Sequence, residues 1–287
     1  MPLTTTGGLV AEAVTHRGAV AAFNVVTLEQ VEAVIAAAEA VGEPVVLQVS
    51  ENAVKFRAGR LRPLAAAAVS AARSSEVPVA LHLDHVKDEA LLREAADCGF
   101  GSVMFDAAHL PYAENVAATR RAARWAHAHG LWLEAELGEV GGKDGRGPLD
   151  AHAPGARTEP GEAVRYVEET GVDALAVAIG SSHAMTSRDA VIDHDLLAAL
   201  HERLPLPLVL HGSSGVADED LQRAVRGGIR KVNIGTALSI AMTGAIRADL
   251  DTDPRAVDPR RYLTAGRRAV TDSVVRLLGT VAAAPLR

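Results

Sequence analysis

Eight short β-branched runs, the alanine-rich stretches between them, and a histidine closing three of those runs predict one fold class: an α/β protein built as a closed (β/α)8, or TIM, barrel. The runs are continuously apolar rather than alternating, as parallel strands covered on both faces require. They are Ala19–Val25, Pro44–Val49, Val77–Leu83, Ser102–Phe105, Leu131–Leu137, Ala174–Ile179, Leu206–Leu210 and Lys231–Ile234.

The segments between the runs predict helices. Thr27-Leu-Glu-Gln30 is a capping box, followed by apolar positions at Leu28, Val31, Val34 and Ile35 and ended by Gly42 and Pro44. A second helix covers Asp88–Cys98, with Leu91, Leu92 and Ala95 on one face. Further helices are predicted over Leu61–Ser74, Pro111–His129, Pro160–Glu169, His194–Arg203 and Asp218–Arg226. The stretch Ile246–Leu263 is polar and charged, and Arg268–Leu278 predicts a last amphipathic helix. A Gly- and Pro-rich interruption runs from Gly138 to Gly161. So long an aperiodic segment within a compact domain predicts a mobile active-site loop in a single domain covering residues 1–287.

Bulk properties narrow the function classes. With 48% hydrophobic and 23% charged residues, the chain holds a sizeable core, and 3% aromatics make that core aliphatic. A net charge of −7 and the lack of an arginine stripe interleaved with aromatics argue against nucleic-acid binding. No apolar run reaches the ~20 residues that span a bilayer. The start, MPLTTTGGLVAEAV, has no basic flank before an apolar core, and the single Cys98 excludes an intramolecular disulfide. The expectation is a cytoplasmic protein with no membrane partner.

The chemistry lies where strands end and βα loops begin. Read there, the sequence offers Asn24, Ser50, Asp84 with His85, Asp106, Glu134 and Glu136, His183, His211-Gly-Ser-Ser-Gly215, and Asn233-Ile-Gly-Thr236. Three imidazoles on one rim, His85, His183 and His211, suit a catalytic divalent metal, most simply zinc, with positions left for substrate. Asp84 beside them is placed either to move a proton or to orient an imidazole. Of Glu134 and Glu136, one can reach the metal and one can balance Lys231. The turns bearing Gly212, Ser213, Ser214, Gly235 and Thr236 present N–H groups at helix N-termini, which suits a phosphate.

These motifs, AFNV, LHLDHV, GSVMFDAAHLPYAEN, LEAELGEVGG, LAVAIGSSH, LVLHGSSGV and KVNIGTAL, resemble the class II, metal-dependent ketose-bisphosphate aldolases in order and over nearly the whole chain. That family includes fructose-bisphosphate and tagatose-bisphosphate enzymes. The resemblance implies reversible cleavage of a ketose 1,6-bisphosphate to dihydroxyacetone phosphate and glyceraldehyde 3-phosphate through a metal-stabilised enediolate. It implies zinc on His85, His183 and His211, with Glu136 able to engage the metal in an alternative position. Asp84 would serve the aldehyde-derived oxygen and Asn233 would contact dihydroxyacetone phosphate, while Gly212, Ser213 and the turn around Thr236 would hold its phosphate. A monovalent cation (Na+ or K+) near that phosphate and a homodimer or homotetramer are further family expectations.

The sequence also departs from the family. Members carry a proton-abstracting glutamate in the loop after GG, whereas this loop reads GGKDGRG, leaving Asp144 or another base for that step. His183 is followed by Ala184-Met185 in place of glycine and an aromatic, and Ala108 stands where a serine is usual. Another ketose phosphate as substrate, or a non-catalytic sugar-phosphate-binding barrel, are the alternatives. A metal-dependent hydrolase on the same barrel would place His-x-His on the first strand, which here reads Ala22-Phe23-Asn24. A Schiff-base aldolase is disfavoured because the sixth run, ALAVAIG, carries no lysine.

Overall fold

In the computed structural model, which describes residues 2–138, 140–141 and 156–282, eight parallel strands close into a barrel. They are β2 (Val20–Asn24), β3 (Val45–Ser50), β4 (Val79–Val86), β5 (Ser102–Phe105), β6 (Trp132–Leu137), β7 (Ala174–Val177), β8 (Leu208–Leu210) and β9 (Ile229–Ile234). Each pairs with its neighbours in chain order, and β9 returns to β2, so that the sheet has no open edge in the barrel wall. Parallel pairing throughout puts every strand's C-terminal end on one rim. A short β1 (Leu3–Thr4) adds outside the ring, on β4.

The opposite end of the barrel is plugged. Helix α1 (Thr6–Thr15) lays Leu9 and Val10 against Val20, Ala22, Val46 and Ala80 of the inner wall. The outer faces of the strands pack under the remaining helices in one continuous aliphatic core. These are α2 (Leu28–Val41), α3 (Glu51–Phe56), α4 (Arg62–Ser74), α5 (Glu89–Asp97), α6 (Tyr112–Ala128), α7 (Pro160–Thr170), α8 (His194–Arg203), α9 (Asp218–Arg226), α10 (Thr236–Thr252) and α11 (Pro259–Ala282). None of the described helices is long and apolar enough to cross a membrane.

The predicted caps are in place. Thr27 Oγ1 accepts from Gln30 N at 3.3 Å, and Gln30 Oε1 accepts from Thr27 N at 3.2 Å, while Gly42 ends α2 with φ of 72°. Strand boundaries shift at the functional rim. β4 runs to Val86 rather than stopping at Leu83, because Ser50 pairs with Asp84 and a bulge carries the pairing on to β5. Of the predicted loop, residues 139 and 142–155 lie outside the described residues, and its last two residues, Pro160 and Gly161, already belong to α7.

Three helices escape the sequence reading. α1 opens on Gly7-Gly8, and α3 is a six-residue turn of helix capped by Ser50. α10 buries only Leu238 and Met242, too few to make an apolar stripe. The polar stretch Ile246–Leu263 is therefore divided between the end of α10 and the start of α11. The last helix runs from Pro259 to Ala282 instead of Arg268–Leu278, with Pro at its first position. Replacing Thr27 by alanine removes the half of the capping box that its hydroxyl accepts from Gln30 N, at the barrel's first crossover. The expected cost is about 1 kcal/mol, read as a fall in Tm of roughly 2–4 °C by calorimetry.

Candidate active site

Two consecutive strand residues ordinarily point to opposite faces, yet Asp84 and His85 both line the mouth. The bulge makes this possible. Between Leu83 and Val86 the register of β4 against β5 slips, and His85 adopts φ of 51°. Asp106, at the end of β5, receives it there, its Oδ2 lying 2.9 Å from His85 Nδ1. That contact leaves His85 Nε2 buried and without a hydrogen-bond partner.

His183 follows β7 on a loop whose Ser181 and Ser182 hydroxyls are buried. It is held by its backbone N–H, which donates to Gly141 O at 2.7 Å. His211 directly follows β8 and is wholly buried. The three rings approach closely, with centroids 4.9 Å apart for His85 and His183, 4.8 Å for His85 and His211, and 5.7 Å for His183 and His211. Glu136 completes the group. One ligating atom from each of His85, Glu136, His183 and His211 lies within 4.8 Å of the others. Three imidazoles, one carboxylate and a buried, unpartnered Nε2 are a donor set that fits a divalent ion.

Behind this cluster runs a buried row of charge. Glu134 and Glu136 share the inner face of β6 and take the two nitrogens of His211, Nε2 at 2.8 Å and Nδ1 at 2.9 Å. The other oxygen of Glu134 accepts from Lys231 Nζ at 2.8 Å, and Lys231 also donates to Asn233 Oδ1 at 2.7 Å. Burial alone would lower the His211 pKa, but the hydrogen bonds its ring donates to both glutamates outweigh it and raise the value to about 9. Burial would likewise raise Glu134, but Lys231 and His211 hold it well below the usual carboxylate range. His82 is the counter-case: burial and then the Lys231 charge push it down to about 3, so it is neutral. Its Nδ1 lies 2.8 Å from Ser102 Oγ, which donates to Thr6 Oγ1 at the base of the barrel.

Asp84 stands between cluster and cavity. Asn24 Nδ2 donates to its Oδ2 at 2.7 Å, Gln48 Nε2 donates to Asn24 Oδ1 at 3.1 Å, and Asn233 Nδ2 reaches Asp84 Oδ1 at 3.5 Å. Burial would raise its pKa, yet its electrostatic contacts with the neighbouring His85, His211 and Lys231 side chains hold it at about 2.

The cavity in front measures about 250 Å³ and is lined by Asn24, Ser50, Asp84, His85, His183 and Asn233 among others. On one side Gly212, Ser214, Gly235 and Thr236 form its wall at the start of α10. Gly212 has φ of 65°, and a Cβ there would meet the Ser182 carbonyl at 2.6 Å, so the turn admits only glycine. Ser214 Oγ accepts from Ala237 N at 3.1 Å.

Most of the residues singled out in the sequence reach this cavity or the metal-suited cluster, but Ser213, Gly215, Glu134 and Lys231 do not. Ser213 is buried, and its hydroxyl donates to the Asn233 carbonyl, so it shapes the turn instead of lining the cavity. Glu134 pairs with Lys231 and leaves the cluster position to Glu136. Asp144 lies outside the described residues. The sequence reading did not assign Asp106 and Glu134 as the carboxylates that fix the rings of His85 and His211, because that role depends on which strands become neighbours. Asp106→Ala is expected to weaken divalent-metal affinity by about 10–100-fold without removing a ligand, as measured by competition with a chromogenic chelator.

Comparison with known proteins agrees with this geometry. Residues 4–284 match the family model described as fructose-bisphosphate aldolase class-II. A fructose-bisphosphate aldolase from Giardia intestinalis is 36% identical over 301 residues, covering 96% of this chain and 91% of that protein. Among solved structures, the YdjI aldolase of Escherichia coli K12 superposes with a TM-score of 0.82 at 28% identity, covering 97% of each chain. A putative fructose-1,6-biphosphate aldolase from Coccidioides immitis gives a TM-score of 0.84 at 29% identity, covering 97% of this chain and 96% of that one. The chain is an aldolase and belongs to the class II fructose-bisphosphate aldolase family.

Proposed function

We propose that the protein is a zinc-dependent aldolase that reversibly cleaves a ketose 1,6-bisphosphate of the fructose or tagatose type to dihydroxyacetone phosphate and glyceraldehyde 3-phosphate. The observation that carries this reading is the meeting, in one cavity, of a three-histidine cluster, an ionised aspartate and a glycine-lined anion cradle. His85, His183 and His211 would hold the ion, with Glu136 able to share it. When bound, the ion supplies Lewis acidity that stabilises negative charge on the ketose oxygens.

The chain's own residues do the rest. Gly212, Ser214, Gly235 and Thr236 bind the ketose-side phosphate with turn N–H groups, hydroxyls and the N-terminus of α10, and Ser213 holds that turn in shape through Asn233 O. Asn233 orients the ketose half, while Asn24 and Ser50 line its path. Asp84 is kept ionised by its cationic surroundings and fixed by Asn24. In the cleavage direction it takes the C4-hydroxyl proton as the C3–C4 bond breaks, and in synthesis it returns that proton to the aldehyde-derived oxygen. Asp144 is the proposed base at the ketose carbon. A monovalent cation beside the phosphate, a homodimer or homotetramer, and a cytoplasmic location complete the reading.

Purified protein assayed on fructose 1,6-bisphosphate and tagatose 1,6-bisphosphate is expected to release dihydroxyacetone phosphate from at least one of them. Chelator should abolish that release and zinc should restore it. Release that survives chelation, together with borohydride trapping of a lysine, would overturn the proposal. Asp84→Asn is expected to lower kcat by roughly 10²–10⁴-fold while the protein still binds zinc stoichiometrically. Asp144→Ala should abolish solvent exchange at the ketose carbon of dihydroxyacetone phosphate with zinc retained, and unchanged exchange would remove Asp144 from the mechanism.

A further inference from the structure

Two of the three clustered histidines take their places from strands, since His85 lies within β4 and His211 directly follows β8. His183 does not. It sits on the irregular segment 178–193 between β7 and α8, where no helix or strand ladder fixes it. A metal ligand on such a segment needs tethers, because a site works only when its groups are held to within about 0.5 Å. Three of the tethers are backbone bonds that depend on no side chain. Asp193 N donates to Ile179 O at 2.8 Å, His183 N to Gly141 O at 2.7 Å, and Ala190 N to Gly215 O at 3.0 Å.

The fourth tether is a side chain. Arg188 donates to Val216 O twice, from Nε at 3.1 Å and from Nη2 at 2.7 Å. The same Nη2 also donates to Asp218 Oδ1. Asp218 opens α9, and Arg276 of α11 donates to its two oxygens at 3.1 and 3.0 Å. Two guanidinium groups thus flank one carboxylate, and the Arg188 hydrogen bond above all holds its pKa below the usual carboxylate range. The Arg188 side chain is 40% exposed, so this ion pair adds little to the stability of the fold. What it fixes is geometry.

Val216 is the buried end of the turn that begins at Gly212, and Gly212 and Ser214 of that turn line the cavity. The turn and the His183 segment already touch without slack. A Cβ on Gly212 would collide with the Ser182 backbone, and one on Gly215 with the Met185 side chain. Arg188 ties the two together from their partly exposed side and does not itself line the cavity. Resting on the aldolase reading above, we propose that Arg188 is a positioning residue that couples the metal-ligating segment to the phosphate turn. It fixes His183 relative to Gly212 and Ser214, so that one guanidinium serves metal affinity and ketose-phosphate binding together.

The test compares wild-type protein with Arg188→Met, Arg188→Lys and Asp218→Asn, each checked for folding by calorimetry. Two quantities are read. One is the zinc dissociation constant, by competition with a chromogenic chelator. The other is KM against kcat at saturating zinc, for whichever ketose bisphosphate the wild type cleaves. Arg188→Met removes every bond of the clamp and should raise both the dissociation constant and KM by roughly tenfold. Because Asp84 is untouched, kcat should change less than KM. Arg188→Lys keeps the charge without the two-pronged grip and should recover part of both losses. Asp218→Asn leaves the bonds to Val216 O in place and should have the smallest effect. A folded Arg188→Met protein with unchanged zinc affinity and KM would overturn the proposal, whatever its Tm. Zinc affinity that falls while KM stays put would overturn it too, since the two sites would then be independent. A wild-type protein that cleaves neither sugar overturns the proposed function itself, and this role of Arg188 with it.

Discussion

The site depends on the ion pair between Lys231 and Glu134, both fully buried inside the barrel. An isolated carboxylate or ammonium at this depth is strongly disfavoured, so each is tolerable only with the other. Their pairing leaves the second oxygen of Glu134 for His211 and lets Lys231 reach Asn233. Through these bonds a contact deep in the barrel sets the orientation of one imidazole in the cluster and of the amide beside Asp84. Removing one partner would leave an unpaired buried charge, a loss of about 3–5 kcal/mol. The pair therefore binds fold and site into a single electrostatic unit.

The same row has a consequence for metal binding. Both nitrogens of His211 face carboxylates, which stabilise its protonated form. An imidazole ligates only when neutral, so a divalent ion must displace that proton and at least one of the two contacts. Glu136 is the contact that belongs to the metal-suited group, while Glu134 is anchored by Lys231. If an ion occupies the proposed site, Glu134 would keep His211 oriented and Glu136 would be the carboxylate that turns from imidazole to ion. Asp106 holds the same kind of position for His85.

Much of the barrel and rim was legible because polar residues at the ends of apolar runs interrupt a strong pattern. His85, His183 and His211 stand out in this way, and so do Asn24, Asn233 and the HGSSG turn. What stayed hidden depends on geometry that no local pattern encodes. Strict alternation from His82 and Asp84 would turn His85 away from the mouth, and the bulge that brings it back is visible only in the register of β4 against β5. The choice between Glu134 and Glu136 was open because they share a face, and only the position of Lys231 across the barrel decides it. Helix α3 is not predicted because six residues are too few to show periodicity. Helix α10 was missed for the opposite reason, since it is long but buries too little to show a stripe.

Backbone strain gathers at the same rim. Among the described residues four non-glycines have positive φ, and two of them, His85 and Ala184, line the cavity. A left-handed conformation costs a residue bearing a Cβ roughly 1–2 kcal/mol, and it persists only where the surroundings impose it. Around His85 the imposing contacts are the bulge and Asp106. Around Ala184 they are the bond from His183 N to Gly141 and the packing of Met185 against Gly215, where an added Cβ would lie 2.5 Å from the sulfur. Class II aldolases usually have glycine at the position of Ala184, yet this chain keeps the glycine-like conformation with an alanine. The turn is therefore held by its neighbours and not by the freedom of its own residue. A barrel selected for stability alone would relax that turn, and its retention beside His183 argues that the position of this histidine is the quantity under constraint.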